Sequence, residues 1–185
     1  MNEFRVNALY DADTIARRNE ELAAEIARAV HGDLLVVAVL RGSFVFAADL
    51  IRALHRAGLS PQIEFLQLAS YRKAMTSSGQ VEIVRDIDND PAGRDVLLVD
   101  DILESGRTLA FAKDLLAARG ARRVFTCVLL EKPGKRAVSV EPDFVGFHCP
   151  DRFLVGYGMD VAHSYRELPY IGVVERGGTE GPGAD

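Results

Sequence analysis

Between Asp13 and about Val30, the apolar residues Ile15, Leu22, Ile26 and Ala29 recur at helical spacing along one face. The segment therefore predicts an amphipathic helix, capped by Asp13 and stopped at His31-Gly32. Leu34 to Leu40 is an unbroken apolar run without alternation, the pattern of a strand covered on both faces, and it ends at Arg41-Gly42-Ser43. A second helix is expected from Phe44 to about Ala57; its apolar residues wrap most of the circumference, which predicts deep burial, and Gly58 ends it. Ile63 to Tyr71 and Val81 to Val84 read as strands, separated by the aperiodic polar stretch R-K-A-M-T-S-S-G-Q, expected to be a mobile loop. Beyond the turn-rich D-I-D-N-D-P-A-G, a strand from Val96 to Val99 leads into Asp100-Asp101 and a short loop. A helix from about Arg107 to Arg119 follows, stopped by Gly120, and then a buried strand from Val124 to Leu130. Strands alternating with helices predict a mostly parallel α/β sheet flanked by helices. Such sheets bind ligands beyond the carboxyl ends of their strands, so the informative segments are those following Leu40, Val99 and Leu130.

With 185 residues and 48% apolar content, the chain suits one compact unit with a substantial core. A net charge of -5 argues against a nucleic-acid partner held on a broad basic face, but does not disfavour small phosphorylated ligands. Cys127 and Cys149 have neither C-x-x-C nor zinc-type spacing and read as buried small hydrophobes in a reducing compartment. The four histidines, His31, His55, His148 and His163, show no metal-ligand spacing. Met1 to Tyr10 has no apolar signal-like core, and no run is long enough to span a membrane, so a cytoplasmic protein is expected. The Gly-rich run after Glu175 reads as a disordered tail.

The chemistry concentrates in V-L-L-V-D-D-I-L-E-S-G-R-T-L, residues 96–109. Backbone N-H groups of Ser105 to Thr108, with two hydroxyls, can cradle a phosphate at a helix N-terminus, where the partial positive charge favours an anion. Gly106 permits close backbone approach. The acids Asp100 and Asp101 cannot bind the same phosphate; they can accept from sugar hydroxyls or organise a hard cation such as magnesium. A phosphorylated sugar satisfies both halves. The bland alternative, an acidic loop before a capped helix, leaves two adjacent carboxylates after a buried strand with nothing to offset their cost.

This segment resembles the phosphoribosyl diphosphate signature of type I phosphoribosyltransferases. The segments V-A-V-L-R-G-S-F-V-F-A-A-D-L, S-Y-x-x-x-x-x-S-S-G-x-V, L-L-E-K-P-G-K-R and P-D-F-V-G-F-x-x-P-D-R-F-L-V-G-Y-G-M-D are similar, in order, to the hypoxanthine-guanine members of that family. The resemblance implies a core over about residues 30–140 and a small hood formed by the N-terminal segment and about 140–175. It also implies transfer of ribosyl 5-phosphate from its diphosphate to N9 of hypoxanthine or guanine, with Mg2+, and a homodimer or homotetramer. Asp100 and Asp101 would hold the ribose hydroxyls and metal, and Glu104, Ser105, Gly106, Arg107 and Thr108 the 5-phosphate. Arg41 and Gly42, joined in the family by an unusual cis peptide, would meet the diphosphate together with Arg166. Lys132 would donate to the purine 6-oxo group, which disfavours adenine because two donors would face each other. Phe153 would stack on the ring, backbone around Leu154 would read its far edge, and Asp160 would bind a second magnesium. Ser70-Tyr71 and the loop to about Gly79 would close over the centre and exclude water. Arg136 would steady the base-binding loop.

One departure stands out. The family's usual Asp, the candidate acceptor of the purine N7 proton, is here Glu104, and the following Thr is Ser105. The extra methylene displaces the carboxylate by about 1 Å or more, and proton transfer depends on reach before acidity.

Two rival readings bear on other classes. A regulator that keeps this fold while binding RNA or DNA needs a basic face the sequence lacks. A phosphoacceptor receiver domain carries its acid pair in the first strand, whereas this pair lies past residue 99. Side-chain identities do not separate hypoxanthine, guanine and xanthine, because the 2-position is read mostly by backbone carbonyls.

Overall fold

The computed structural model describes residues 4–70 and 81–176. Its elements in chain order are β1 (Phe4–Tyr10), α1 (Ala12–Ala29), β2 (Leu34–Leu40), α2 (Phe44–Arg56), β3 (Gln62–Ser70), β4 (Val81–Arg85), β5 (Asp95–Leu103), α3 (Arg107–Ala118), β6 (Arg123–Glu131), β7 (Phe144–His148), β8 (Leu154–Val155) and β9 (Ile171–Arg176). The larger sheet has the order β4-β3-β2-β5-β6-β7. Only β4 runs antiparallel to its neighbour in it; the other pairs are parallel.

Unbroken apolar runs form the central strands because both faces are covered. On one face Leu34, Val36, Ala38, Leu97 and Val99 pack with Ile15, Leu22 and Ile26 of α1 and Phe46 and Leu50 of α2. On the other, Leu35, Val37, Val39, Val96 and Leu98 pack with Leu109, Ala112 and Leu116 of α3. Successive residues thus serve opposite layers, as the period of two requires. Cys127 and Cys149 are buried free thiols.

A second, smaller sheet has the order β1-β9-β8 and is antiparallel. It joins the N-terminal segment to residues 154–176, whereas β7 belongs to the larger sheet. β9 extends to Arg176, which pairs with Phe4, one residue into the run read as tail. Among the described residues no helix is long and apolar enough to cross a membrane.

Three local expectations are corrected. Asp11, not Asp13, caps α1: its carboxylate accepts from the Thr14 backbone N-H at 2.7 Å, and Asp13 falls inside the first turn. A cap must sit outside the helical dihedrals, and two nearby acids are alike to periodicity alone. Helix α2 buries one stripe, Phe46, Ala47, Leu50, Ala53 and Leu54, mainly against β2 and α1, and leaves Phe44 44% exposed. Strand β5 does not stop at Val99 but runs through Asp100 and Asp101 to Leu103, since pairing with β6 continues to Glu131.

At the opposite end of β5, Asp95 is fully buried and accepts from Arg122 Nε at 2.9 Å and from Arg123 Nη2 at 2.6 Å. The Arg123 hydrogen bond, opposed by desolvation and helped by Arg122, holds its carboxyl well below the usual carboxylate range. A lowered folded-state value contributes stability above the unfolded-chain value, lost as pH falls through the folded one. Asp95→Asn is therefore expected to cost about 2 kcal/mol at pH 7, with the gap to wild type narrowing below about pH 4. Urea unfolding of both proteins across pH 3–7 checks this.

Candidate active site

β2 and β5 are adjacent and parallel, so the segments following Leu40 and Val99 emerge side by side. Between them lies a cavity of about 300 Å³, lined by Leu40 to Gly42, Asp100 to Gly106 and Thr108. Asp100 is 8% exposed, and Asp101 opens partly into the cavity. Asp100 Oδ1 accepts from the Asp101 N-H at 2.9 Å, and Asp101 Oδ1 from the Ile102 N-H at 2.8 Å. Burial, then the neighbouring Asp101 charge, raises Asp100 well above the ordinary carboxylate range. Burial raises Asp101 as well, against its hydrogen bond with Asp100, local backbone donors and the charge of Arg166.

Gly42 packs onto this pair: a Cβ there would lie 1.6 Å from Asp101 Oδ2. The cis peptide is Leu40–Arg41, one bond before the position the resemblance implied, and Gly42 is needed for the close approach to Asp101 instead. Arg41 itself is exposed.

Gly106 is the N-cap of α3, with φ 79° and no side-chain cap, so the helix N-terminus faces the cavity without a capping carboxylate. A Cβ on Gly106 would lie 2.6 Å from Val140 Cγ1, and Ser105 O accepts from Ala137 N at 2.9 Å and Val138 N at 3.3 Å. Segment 137–140 thus backs the turn. Ser105 Oγ accepts from Arg107 N at 3.4 Å, while the Arg107 residue is exposed.

Lys132 follows β6 and is 5% exposed; its ammonium pairs directly with the Glu104 carboxylate. Arg136 donates to the carbonyls of Leu103 (3.3 Å) and Glu104 (3.0 Å) and pairs with Glu131. It therefore braces the turn after β5 as well as the residue before Lys132. Phe153 is 55% exposed, with its carbonyl held by Val174 N at 2.9 Å, and Leu154 beside it is buried in β8. Asp160 pairs with Arg166 at 2.8 Å, and Arg166 Nη1 donates to Gly158 O at 2.6 Å. Gly158 in turn lies against Gly42, where a Cβ would approach Gly42 O to 2.3 Å. Contacts thus link Asp160, Arg166, Gly158, Gly42 and Asp101, while Lys132 joins through Glu104; Phe153 and Leu154 do not line the cavity. Ser70 ends β3 opposite Val81, and Tyr71 with the loop to Gly79 lies outside the described residues.

Sequence reasoning missed the 137–140 backing, the contact between Gly158 and Gly42, and a polar group formed by Asn19, Asp49 and Tyr157. Only Gly158 had a readable signal, the two glycines of G-Y-G-M-D.

The phosphoribosyl transferase domain family matches residues 5–162. The hypoxanthine phosphoribosyltransferase of Buchnera aphidicola subsp. Schizaphis graminum is 44% identical over 160 residues, covering 85% of this chain and 89% of its own. The hypoxanthine-guanine phosphoribosyltransferase of Aquifex aeolicus is 43% identical over 173 residues, covering 92% and 96%. Among solved structures, a hypoxanthine-guanine phosphoribosyltransferase from Bacillus anthracis, with a HEPES molecule in its active site, matches with TM-score 0.85 at 40% identity, covering 91% of this chain and 98% of that one.

The raised acid pair has a measurable consequence. Raised carboxyls carry no charge-burial penalty while protonated, and the folded state loses stability as pH rises from the unfolded value through the folded one. Asp100→Asn is expected to stabilise the unliganded protein by about 1 kcal/mol at pH 7.5 and to flatten this pH slope. Urea midpoints measured from pH 5 to 8 test it; an unchanged slope would remove the charge repulsion from the account.

Proposed function

The chain belongs to the phosphoribosyl transferase family, and from that premise we propose that it is a purine-salvage hypoxanthine phosphoribosyltransferase. It transfers 5-phosphoribosyl from phosphoribosyl diphosphate to N9 of hypoxanthine or guanine, giving IMP or GMP and diphosphate. The observation that carries this reading is one juxtaposition: the acid pair faces the amide-lined turn 104–108 in a single cavity, with Lys132 against Glu104 at its margin.

In this reading Asp100 and Asp101 accept from the ribose hydroxyls, and Glu104 to Thr108 hold the 5-phosphate. Arg41, Gly42 and Arg166 meet the diphosphate, whose bond to ribose C1 breaks as the bond to N9 forms. The 6-oxo group and N7 are neighbours on the purine edge, so an ammonium and a carboxylate already in contact suit them: Lys132 donates to the oxygen and Glu104 takes the N7 proton. Phe153 stacks on the ring, and the Leu154 backbone reads its far edge. Ser70 and Tyr71 begin the segment assigned to exclude water. Adenine would bring its amino donor against Lys132.

A buried carboxylate beside a partly open one suits a hard divalent cation, and we assign one magnesium to Asp100 and Asp101 and a second to Asp160. Substrate oxygens would complete the shell of such an ion. When bound, it would neutralise charge on the departing diphosphate. A cytoplasmic homodimer or homotetramer, with no nucleic-acid partner, completes the reading.

Incubation with phosphoribosyl diphosphate, magnesium and each of hypoxanthine, guanine, xanthine and adenine should give nucleotide with the first two and none with adenine. Absence of product with all four would favour the regulator. Glu104→Gln should lower kcat by about 100-fold or more; turnover within a few-fold of wild type would end its assignment as the proton acceptor.

A further inference from the structure

Residues 156–159 form a tight turn in which Gly156 N donates to Met159 O at 3.0 Å and Met159 N to Gly156 O at 3.1 Å. Both central residues have positive φ, 49° at Tyr157 and 100° at Gly158. That backbone suits glycine and is unfavourable for a tyrosine, so something must hold Tyr157 there. Its side chain supplies the restraint. The residue is 5% exposed; its hydroxyl donates to Asp49 Oδ2 at 2.5 Å and accepts from Asn19 Nδ2 at 2.9 Å.

Asn19 belongs to α1 and Asp49 to α2, so one hydroxyl ties both helices to the turn. Helix α2 begins at Phe44, just past Arg41 and Gly42. The turn carries the opposing wall, since Gly158 O accepts from Arg166, Arg166 pairs with Asp160, and Gly158 packs on Gly42. The phenol therefore couples the α1–α2 pair to the wall carrying Gly158, alongside the backbone bonds from Tyr157 N to Leu168 O at 2.9 Å and from Gly158 N to Arg166 O at 3.0 Å. The cavity beside these bonds, lined by Phe44, Asp49, Tyr157 and Arg166, is separate from the one holding Asp100.

We propose that Tyr157 is a positioning residue: its hydroxyl, held by Asp49 and Asn19, fixes the 156–159 turn, to which Arg166 is bonded and which Asp160 follows, against the Arg41–Gly42 loop and so sets affinity for the diphosphate end of the substrate. This rests on reading Arg41, Gly42, Asp160 and Arg166 as the diphosphate half of the site. Tyr157→Phe keeps the ring and removes the hydroxyl. It should raise KM for phosphoribosyl diphosphate about tenfold while KM for hypoxanthine stays within twofold. Asp49→Ala should do the same, and it serves as the second variant if Tyr157→Phe folds poorly, because its other partner, Arg52, is largely exposed. Asp49→Asn, which keeps an acceptor oxygen, should stay near wild type.

Steady-state kinetics on the full chain, with melting temperatures alongside, decide the matter. The proposal is overturned if Tyr157→Phe and Asp49→Ala lower the melting temperature but leave KM for phosphoribosyl diphosphate unchanged, or if they shift both substrates' KM equally. Arg166→Gln separates the underlying reading. If it leaves KM for phosphoribosyl diphosphate unchanged, the diphosphate assignment falls and the proposal with it. If it raises that KM and Tyr157→Phe does not, only the tyrosine's role is lost.

Discussion

Two like-charged carboxylates held at the end of a central strand set the terms for everything around them. β2 and β6 on either side of β5 bury Asp100 and leave Asp101 partly open, and among the described residues neither forms an ion pair, the charge of Arg166 offsetting Asp101 only in part. Backbone N-H groups of Asp101 and Ile102 satisfy one oxygen of each. Their remaining acceptor capacity suits a ligand rich in hydroxyls or a hard cation. A strand end that costs stability when empty and regains it on binding is a common signature of function outweighing packing.

The neighbours follow from that constraint. Gly42 has to lack a Cβ because Asp101 occupies the space, and Gly158 because Gly42 does. The positive end of α3 is left without a side-chain cap a few residues from the acids, so opposite electrostatic demands sit at the two ends of one short turn. A sugar phosphate meets both with its own hydroxyls and phosphoryl oxygens. Arg136 and the 137–140 segment act on this turn from behind, holding the carbonyls of Leu103, Glu104 and Ser105. The Glu104 carboxylate can therefore reach Lys132 from a braced backbone despite its extra methylene.

The chain alone determined the sheet and marked the centre of the candidate site. Unbroken apolar runs at 34–40 and 96–99 suit strands buried on both faces, and acids, glycine and hydroxyls packed into 100–108 mark, without coordinates, the turn proposed to hold a phosphate. Resemblance added Lys132, Phe153, Asp160 and Arg166, which no local pattern marks.

Tertiary structure decided the rest. Which acid caps α1, which face of α2 is covered, and how far β5 continues all depend on neighbouring elements rather than on the residues themselves. The same holds for Tyr157, whose hydroxyl partners lie 138 and 108 residues away in sequence. Periodicity records what residues a few positions apart share, a face or a turn; it carries no trace of which distant polar groups will meet once strands are ordered in a sheet. That pairing exists only after the chain has folded back on itself.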